Sequence, residues 1–171
     1  MNVLILFSGG IDSTACLNYF LHRNDTVHLL YFNYGQGDEE IERNAAESVA
    51  KYYKTKLDII TISGCIIPKG MIPGRNAFLL SLALLKIPFM DGGIAIGVHS
   101  YTDYTDCSEN FISLMQNIFD VYYDGRIQIL TPFLEWNKYD IIEYARKEKI
   151  PLELVYSTSM DKNLYIRGKD E

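Results

Sequence analysis

The hydrophobic positions of this chain form short apolar runs that alternate with longer segments of helical spacing. Residues 3–7 make an unbroken apolar run, which is typical of a strand buried on both faces of a parallel sheet. Asp12, Ser13 and Thr14 then offer helix-starting side chains before a periodic stretch that predicts a helix. The other predicted strands cover residues 27–32, 57–62, 94–98 and 127–130, and the other predicted helices cover residues 39–53, 110–122, 139–149 and a stretch from 76 onward.

This alternation predicts the fold class. Strands that alternate with helices are joined by right-handed crossovers and lie parallel to one another. We therefore predict an α/β fold, a doubly wound parallel sheet of about five strands with helices on both faces, whose ligands bind beyond the carboxyl ends of the strands. A chain of 171 residues fits one such domain, which we place over residues 1–150. Residues 151–171 show weak periodicity, and we expect a partly ordered extension or a dimer arm.

Three features of the composition bear on the location of the protein. The apolar stretch of residues 77–90 is interrupted by Ser81, Lys86 and Pro88, so it predicts a buried helix rather than a membrane span. No basic segment precedes the first apolar run, which argues against a secretory signal. The cysteines are three in number and none forms a Cys-x-x-Cys pair: Cys16, Cys65 and Cys107. This spacing favours a reducing cytoplasm over a disulfide framework, and we expect no membrane partner.

The charge balance narrows the class of ligand. Sixteen Lys and Arg stand against twenty-two Asp and Glu, which gives a net charge of −6. A protein that holds duplex nucleic acid by neutralising its phosphates carries the opposite excess, so we expect no stable nucleic-acid binding. A small anionic ligand would still need local positive groups.

The turn after the first predicted strand has the composition of such an anion site. It reads Ser8-Gly9-Gly10-Ile11-Asp12-Ser13-Thr14. Unpaired backbone N–H groups and the helix dipole attract phosphate at a helix start, and glycines let the backbone approach it. Ser8 and Ser13 add hydroxyl donors, and Asp12 can hold a magnesium ion. The Walker A and Gly-x-Gly-x-x-Gly patterns are both absent, and a lone Gly-Gly would be interpreted as a simple turn with a helix cap.

The whole string resembles the Ser-Gly-Gly-x-Asp-Ser loop of the PP-loop ATP pyrophosphatase superfamily, which has the adenine nucleotide alpha hydrolase-like fold. The resemblance implies a reaction class. Members cleave ATP between the α and β phosphates, adenylate a carboxylate or carbonyl oxygen, and release pyrophosphate into this loop. An amine or sulfur nucleophile then displaces AMP. ATP and Mg²⁺ are the implied cofactors.

Further strings resemble the 7-cyano-7-deazaguanine synthase (QueC) family in their order and spacing. They are Phe32-Asn33-Tyr34-Gly35-Gln36, Ile72-Pro73-Gly74-Arg75-Asn76, Gly97-Val98, Asp103-Tyr104-Thr105-Asp106-Cys107 with Phe111, and Thr131-Pro132-Phe133 with Asn137-Lys138. The Pro-Gly-Arg-Asn string is the specific one. The resemblance implies that ATP activates the carboxylate of 7-carboxy-7-deazaguanine, that ammonia gives the amide, and that a second activation gives the nitrile. It also implies a homodimer.

The resemblance assigns roles to the matching residues. The implied nucleotide site comprises Ser8, Gly9, Gly10, Asp12, Ser13, Thr14, Phe32 and Asn76. The implied catalytic groups are Asp12, which would also carry magnesium, Arg75 and Lys138. The implied substrate site comprises Arg75, Asn76, Asp103, Asp106 and Cys107. Without the resemblance, the two later aspartates are ordinary turn formers, the cysteine is a small buried side chain and the lysine is a solvated helix-start charge.

The chain also departs from the family pattern. Gly37-Asp38 follows Gln36 where the family has Arg-His, and Ser108 stands where an Arg is common. The family's four-cysteine zinc module is missing, because residues 157–160 read Ser-Thr-Ser-Met and no cysteine follows Cys107, so we expect no zinc.

These departures leave adenylation in place and the acceptor open. One alternative is ammonia, as in base synthesis, and another is a protein amine, as in QueC-like enzymes of CBASS-type anti-phage systems. The third alternative is a non-catalytic nucleotide-binding paralogue.

Overall fold

A computed structural model describes residues 1–64, 72–99 and 101–156 of the chain. Cys65 and the region of the missing zinc module, residues 157–160, lie outside the described residues. The described strands are β1 (Asn2–Leu6), β2 (Thr26–Asn33), β3 (Leu57–Thr61), β4 (Gly92–Ile96) and β5 (Ile127–Leu130). The helices are α1 (Ile11–His22), α2 (Glu39–Tyr52), α3 (Arg75–Leu84), α4 (Glu109–Tyr123) and α5 (Lys138–Lys147), with a 3₁₀ turn at Thr105–Cys107. None of the helices in these ranges has the length and apolar content to cross a membrane.

The strands form one parallel sheet in the order β3-β2-β1-β4-β5, which confirms the predicted doubly wound fold. The central strand β1 lies between β2 and β4, and its last residue, Leu6, pairs with Leu30 on one side and Ile96 on the other. The chain moves outward from β1 to β3 and then crosses to β4 on the opposite side. The carboxyl ends of β1 and β4 therefore flank the point where a doubly wound sheet binds its ligands.

Side chains from successive residues of β1 enter two separate cores. Val3 and Ile5 pack on one face of the sheet in the core that contains residues of α1, α2 and α5. Leu4 and Leu6 pack on the other face with residues of α3 and α4. Because side chains alternate along a strand, a strand covered on both faces needs hydrophobic residues at consecutive positions. This packing explains the unbroken apolar run at the start of the sequence.

Two element boundaries differ from the sequence-based expectation. Helix α1 begins at Ile11, and its N-cap is Gly10, which offers no side-chain cap. The hydroxyl groups of Ser13 and Thr14 instead donate to the Gly10 carbonyl, at 3.0 and 2.9 Å, from inside the first turn. Strand β4 begins at the buried Gly92, two residues before the predicted start. Glycine carries no hydrophobic side chain, so the apolar pattern does not reveal this part of the strand.

The described residues that follow α5 pack on the same chain. Ile150 and Val155 are buried in the core formed by α1, α2 and α5, and Leu152 and Leu154 are partly buried against it. Tyr156 then forms an isolated parallel bridge with Gly10. The division of the chain at residue 150 stays a prediction, and residues 157–171 lie outside the described residues.

Gly9 and Gly125 have nearly the same backbone conformation, but only Gly9 lacks room for a Cβ. Alanine substitutions at the two positions therefore distinguish the cost of backbone strain from the cost of a steric clash. Gly9 has a φ of +74°, and a Cβ there would lie 2.5 Å from the backbone nitrogen of Ala46 in α2. Gly125 has a φ of +73° with open space around it. We expect Gly125→Ala to lower the free energy of unfolding by about 1 kcal/mol from backbone strain alone. Gly9→Ala should lower it by about 3 kcal/mol, since the added methyl also displaces α2.

Urea denaturation of both variants and the wild-type chain measures this difference. Equal losses for the two variants would contradict close packing of the turn against α2.

Candidate functional site

A cleft opens beyond the carboxyl ends of β1, β2 and β4, at the point predicted from the strand order. It encloses about 240 Å³. The polar residues that line it are Ser8, Asp12, Ser13, Tyr31, Tyr34, Gln36, Glu42, Arg75 and Asn76. Phe32, at the end of β2, contributes to its apolar wall. The cleft therefore combines the residues predicted to bind phosphate with the Arg75-Asn76 pair.

The phosphate turn, residues 8–13, brings several donors to one point. The Gly10 N–H donates to the Ser8 hydroxyl at 3.3 Å, and the Ser8 N–H donates to the Ser13 hydroxyl at 3.3 Å. The two hydroxyl oxygens are 3.2 Å apart. These contacts are long for hydrogen bonds and lie at the positive end of α1. Such donors are well suited to an anionic oxygen that would accept from several of them at once.

Bare backbone from β4 completes this turn. A Cβ on Gly97 would lie 2.7 Å from the carbonyl carbon of Asp12 and 2.9 Å from the backbone nitrogen of Ser13. Only glycine lets the chain leaving β4 come so close to the first turn of α1. The sequence string Gly97-Val98 thus has a steric cause in the structure.

An ion pair connects the phosphate turn with α5. The Lys138 ammonium lies 2.9 Å and 3.0 Å from the two carboxylate oxygens of Asp12. Both side chains are about a quarter exposed, at 26% for Lys138 and 28% for Asp12. Asn137 caps α5 through a capping box with Asp140, which fixes the first turn that carries Lys138. Lys138 is thus the first residue of α5, and its ammonium group is bound to Asp12, the proposed magnesium ligand.

Arg75 and Asn76 begin α3 and face different surroundings. Asn76 is only 3% exposed, and its backbone N–H donates to the Asp106 carboxylate at 3.1 Å. Its side-chain amide donates to the Asp106 carbonyl at 3.0 Å. Arg75 is exposed at the cleft, where its charge lies near the Tyr34 hydroxyl. Burial raises the pKa of the Tyr34 hydroxyl, and the Arg75 charge opposes that rise.

The remaining predicted residues are distributed around the cleft. Gly9 lies under Ala46, and the buried Thr14 holds the turn through the Gly10 carbonyl. Cys107 is buried behind Asn76, whose amide nitrogen is 3.8 Å from the sulfur. Burial, and then the charge of Asp106, raise the pKa of this thiol.

Asp103 is exposed and is not among the residues that line the cleft. The structure therefore assembles the phosphate turn with Arg75 and Asn76. It places Asp106 and Cys107 behind the cleft wall and leaves Asp103 apart.

Glu42 lines the cleft and was not predicted as a site residue. The Gln36 amide donates to the Glu42 carboxylate at 3.0 Å and to the Tyr31 hydroxyl at 2.9 Å. Burial raises the pKa of Glu42, and the Gln36 hydrogen bond partly opposes this rise. The spacing of the sequence could have indicated this position. Glu42 lies four and seven residues before the buried Ala46 and Val49, which places it on the buried face of α2. An acidic residue in a first helical turn is more readily attributed to the helix dipole.

The phosphate turn fits a magnesium ion that arrives with phosphates. Within residues 1–64, 72–99 and 101–156, no group of three or more His, Cys, Asp or Glu side chains is arranged to hold a metal. Asp12 offers a single carboxylate at the mouth of the turn. Mg²⁺ is commonly held by one or two carboxylates together with substrate phosphates and water.

A family model and several curated proteins match most of this chain. The family model described as "Queuosine biosynthesis protein QueC" matches residues 2–66 and 61–165. A 7-cyano-7-deazaguanine synthase of Archaeoglobus fulgidus is 33% identical, over 92% of this chain and 77% of the relative. A 7-cyano-7-deazaguanine synthase of Acetivibrio thermocellus is 31% identical, over 88% of this chain and 80% of the relative.

Solved structures show the same fold at low sequence identity. A protein described as the predicted subunit of a tRNA methyltransferase from Methanocaldococcus jannaschii matches with a TM-score of 0.59 and 19% identity. That match covers 85% of this chain and 76% of the other. A 4-thiouridine synthetase, solved as an RNA complex with bound ATP, matches with a TM-score of 0.52 and 17% identity, over 86% of this chain and 40% of the other.

The Glu42 environment predicts a pH-dependent effect on stability. Because burial raises the pKa of this carboxyl, the folded state disfavours its charged form, and its contribution to stability falls as the pH rises through that pKa. We expect Glu42→Gln to match the wild type below about pH 4 and to become progressively more stable than it toward about pH 7. Urea denaturation across this pH range measures the difference. The exposed Glu40 of the same helix supplies the control variant Glu40→Gln, and an equal pH trend in both variants would contradict the assignment.

Proposed function

Because the chain belongs to the QueC family, we propose that it uses ATP to activate the carboxylate of 7-carboxy-7-deazaguanine and transfers the resulting acyl group to an amine. The activation step forms an acyl adenylate and releases pyrophosphate. Attack by the amine then forms a carbon–nitrogen bond and releases AMP. With ammonia as the amine, the product is the amide, and a second activation of the amide oxygen leads to 7-cyano-7-deazaguanine.

The observation that carries this proposal is the phosphate turn. Its backbone N–H groups and two serine hydroxyls converge at the start of α1, beyond the carboxyl end of the central strand of a parallel sheet. Donors fixed before the reaction stabilise the negative charge of a leaving pyrophosphate without reorganisation. The 4-thiouridine synthetase with the same fold was solved with bound ATP, which supports ATP as the nucleotide.

The groups at the mouth of the turn have distinct proposed roles. Asp12 would hold Mg²⁺ together with the phosphates, and the ion would offset their negative charge. The Lys138 ammonium, held at Asp12, contributes a second positive charge beside the phosphates or the acyl adenylate. Arg75, exposed at the cleft, is a suitable partner for the substrate carboxylate and for charge that develops on its oxygen.

The deazaguanine would lie against the wall formed by α3 and the 3₁₀ turn. Asn76 and Asp106 are already connected there by two hydrogen bonds. We assign Asp106, whose carboxylate accepts from the Asn76 N–H, as an acceptor for the N–H groups of the guanine-like edge, and Cys107 as part of the pocket wall. The same acceptor role for Asp103, which does not line the cleft, rests on the family resemblance alone. Carboxylates accept strongly from such paired N–H donors.

A protein amine is the second candidate acceptor. Gly37-Asp38 replaces the Arg-His of the family pattern, and the Asp38 carboxylate accepts a hydrogen bond from the Tyr156 hydroxyl at 2.6 Å. The Asp38 carboxylate attracts a positively charged amine, which the Arg-His of the family pattern would repel. This would be the reaction of QueC-like enzymes in anti-phage systems, which stop at the amide.

Pyrophosphate release tests the proposed activation step. We expect the chain to release pyrophosphate from MgATP only when 7-carboxy-7-deazaguanine is added. Asp12→Ala should reduce this release by at least about 100-fold, because the proposed ligand of the magnesium ion that offsets the phosphate charge is lost. Asp91→Ala provides the control, since this exposed aspartate lies just before β4, at the opposite edge of the sheet, and should leave the rate unchanged. Tight ATP binding without turnover would instead favour the non-catalytic paralogue.

Mass spectrometry of the same reactions identifies the acceptor. A free amide or nitrile of the deazaguanine indicates ammonia as the amine. A protein whose mass rises by one deazaguanine acyl group indicates conjugation. Stimulation by other carboxylates or by tRNA, without stimulation by the deazaguanine, would contradict the proposed substrate.

We also propose that the protein is a homodimer that pairs through α4. Four large hydrophobic side chains of this helix are exposed: Leu114 (56%), Ile118 (46%), Val121 (77%) and Tyr122 (69%). Between residues 110 and 123 the only charged residue is Asp120, which is partly buried and accepts a hydrogen bond from Gln116. A two-fold axis places a surface against its own copy, so a face without charge avoids repulsion between two chains of net charge −6.

A lysine on this face should separate the two copies. We expect the wild-type chain of 19.6 kDa to sediment at twice that mass, and Val121→Lys to sediment as the monomer, because two buried ammonium groups would face each other. Ile41→Lys is the matched control, since Ile41 is 59% exposed on α2, across the sheet. Analytical ultracentrifugation measures the mass. A monomeric wild type, or a dimeric Val121→Lys variant, would contradict the proposal.

A further inference from the structure

Residues 150–156, which we call the strap, return from α5 to the phosphate turn. The backbone N–H of Tyr156 donates to the carbonyl oxygen of Gly9 at 2.9 Å. Tyr156 and Gly10 form an isolated bridge that is not part of the five-stranded sheet. The last described residue of the chain thus contacts the backbone that is proposed to bind phosphate.

The hydrophobic core holds the strap in place. Ile150 and Val155 are only 5% and 9% exposed, and the Leu154 N–H closes a turn onto the Pro151 carbonyl at 3.0 Å. The Tyr156 hydroxyl donates to the Asp38 carboxylate, just before α2. The Tyr156 N–H is therefore anchored from both sides, and its position does not depend on the phosphate turn alone.

Because the Gly9–Gly10 peptide bond is planar, the hydrogen bond that fixes the Gly9 carbonyl also fixes the direction of the Gly10 N–H. All described peptide bonds are trans, so the Gly9 carbonyl and the Gly10 N–H point in opposite directions in one plane. The Tyr156 N–H holds the carbonyl on one side. On the other side, the Gly10 N–H points to the Ser8 hydroxyl at 3.3 Å, among the donors of the phosphate turn.

The Gly9–Gly10 peptide unit depends on the Tyr156 hydrogen bond, whereas the next peptide unit along the chain is held by other contacts. The Gly10 carbonyl is fixed by the Thr14 N–H at 3.0 Å and by the hydroxyls of Ser13 and Thr14. The Gly9–Gly10 unit lies between two glycines, which rotate at little steric cost. Rotation of this unit would turn a carbonyl oxygen toward the phosphate and repel it.

We propose that the Tyr156 backbone N–H positions the Gly9–Gly10 peptide for phosphate binding, which makes Tyr156 a positioning residue of the nucleotide site. The inference rests on the proposed function, because it assumes that the phosphate turn binds the β and γ phosphates of ATP. The function of Tyr156 then resides in its main chain. Its ring and hydroxyl support that main chain through Asp38.

An amide-to-ester substitution at Tyr156 tests this role in the full-length chain, because it replaces the backbone N–H by an oxygen and keeps every side chain. The dissociation constants of MgATP and magnesium pyrophosphate are measured by calorimetry, together with the thermal midpoint of unfolding. We expect both ligands to bind about 10-fold more weakly, which is the effect of one misdirected hydrogen bond to a charged group. AMP, which lacks the β and γ phosphates, should bind with nearly unchanged affinity.

Two matched variants separate positioning from general stability. An ester at Leu154 removes a strap hydrogen bond that does not reach the phosphate turn, so it should lower the thermal midpoint without weakening ATP binding. An ester at Val155 is the second control: it removes the hydrogen bond from the Val155 N–H to the Leu152 carbonyl at 3.3 Å and should bind ATP within about 2-fold of the wild type.

Two results would overturn the inference while leaving the proposed function intact. One is an unchanged affinity of the Tyr156 ester for ATP, and the other is an equal loss in the Leu154 ester. A wild-type chain that binds neither ATP nor pyrophosphate would overturn both proposals together.

Discussion

The close contact of bare backbone around the start of α1 is the constraint on which the site depends. Gly9 lies against α2 without room for a Cβ, and Gly97 lies against Asp12 in the same way. These two contacts draw the ends of β1 and β4 and the body of α2 together at one helix terminus. With no side chain between them, the N–H groups of that terminus stay open to the cleft. The hydrophobic cores on the two faces of β1 hold this arrangement in place.

Much of this architecture is readable from the sequence because burial on two faces leaves a strong pattern. Strand β5 has the predicted bounds, and α2 differs from its predicted end by one residue. The pattern fails where the chain is buried without hydrophobic side chains, as at Gly92 and Gly93 in β4. It also misses the start of α1, because Gly10 is an N-cap without a capping side chain. In both places a glycine occupies a position, inside a strand or at a helix N-cap, where residue preferences predict a different amino acid.

The site was only partly predictable, because several of its contacts join distant parts of the chain. The phosphate turn is local, and its residue types alone indicate an anion site. Nothing in the spacing of the sequence, however, places Lys138 on Asp12 or carries Tyr156 to Gly9. Glu42 enters the cleft only through the orientation of α2. Asp103 belongs to a family string, yet its exposed position lies outside the residues that line the cleft.

The distance along the chain between the phosphate turn and its partners has a consequence for protein synthesis. The turn at residues 8–13 is synthesised long before the lysine and the strap that contact it, which follow at positions 138 and 150–156. Strand β1 also waits for β4, since parallel strands pair only after a long crossover. A nascent or prematurely terminated chain therefore exposes an unsupported central strand and is a natural substrate for chaperones and proteases.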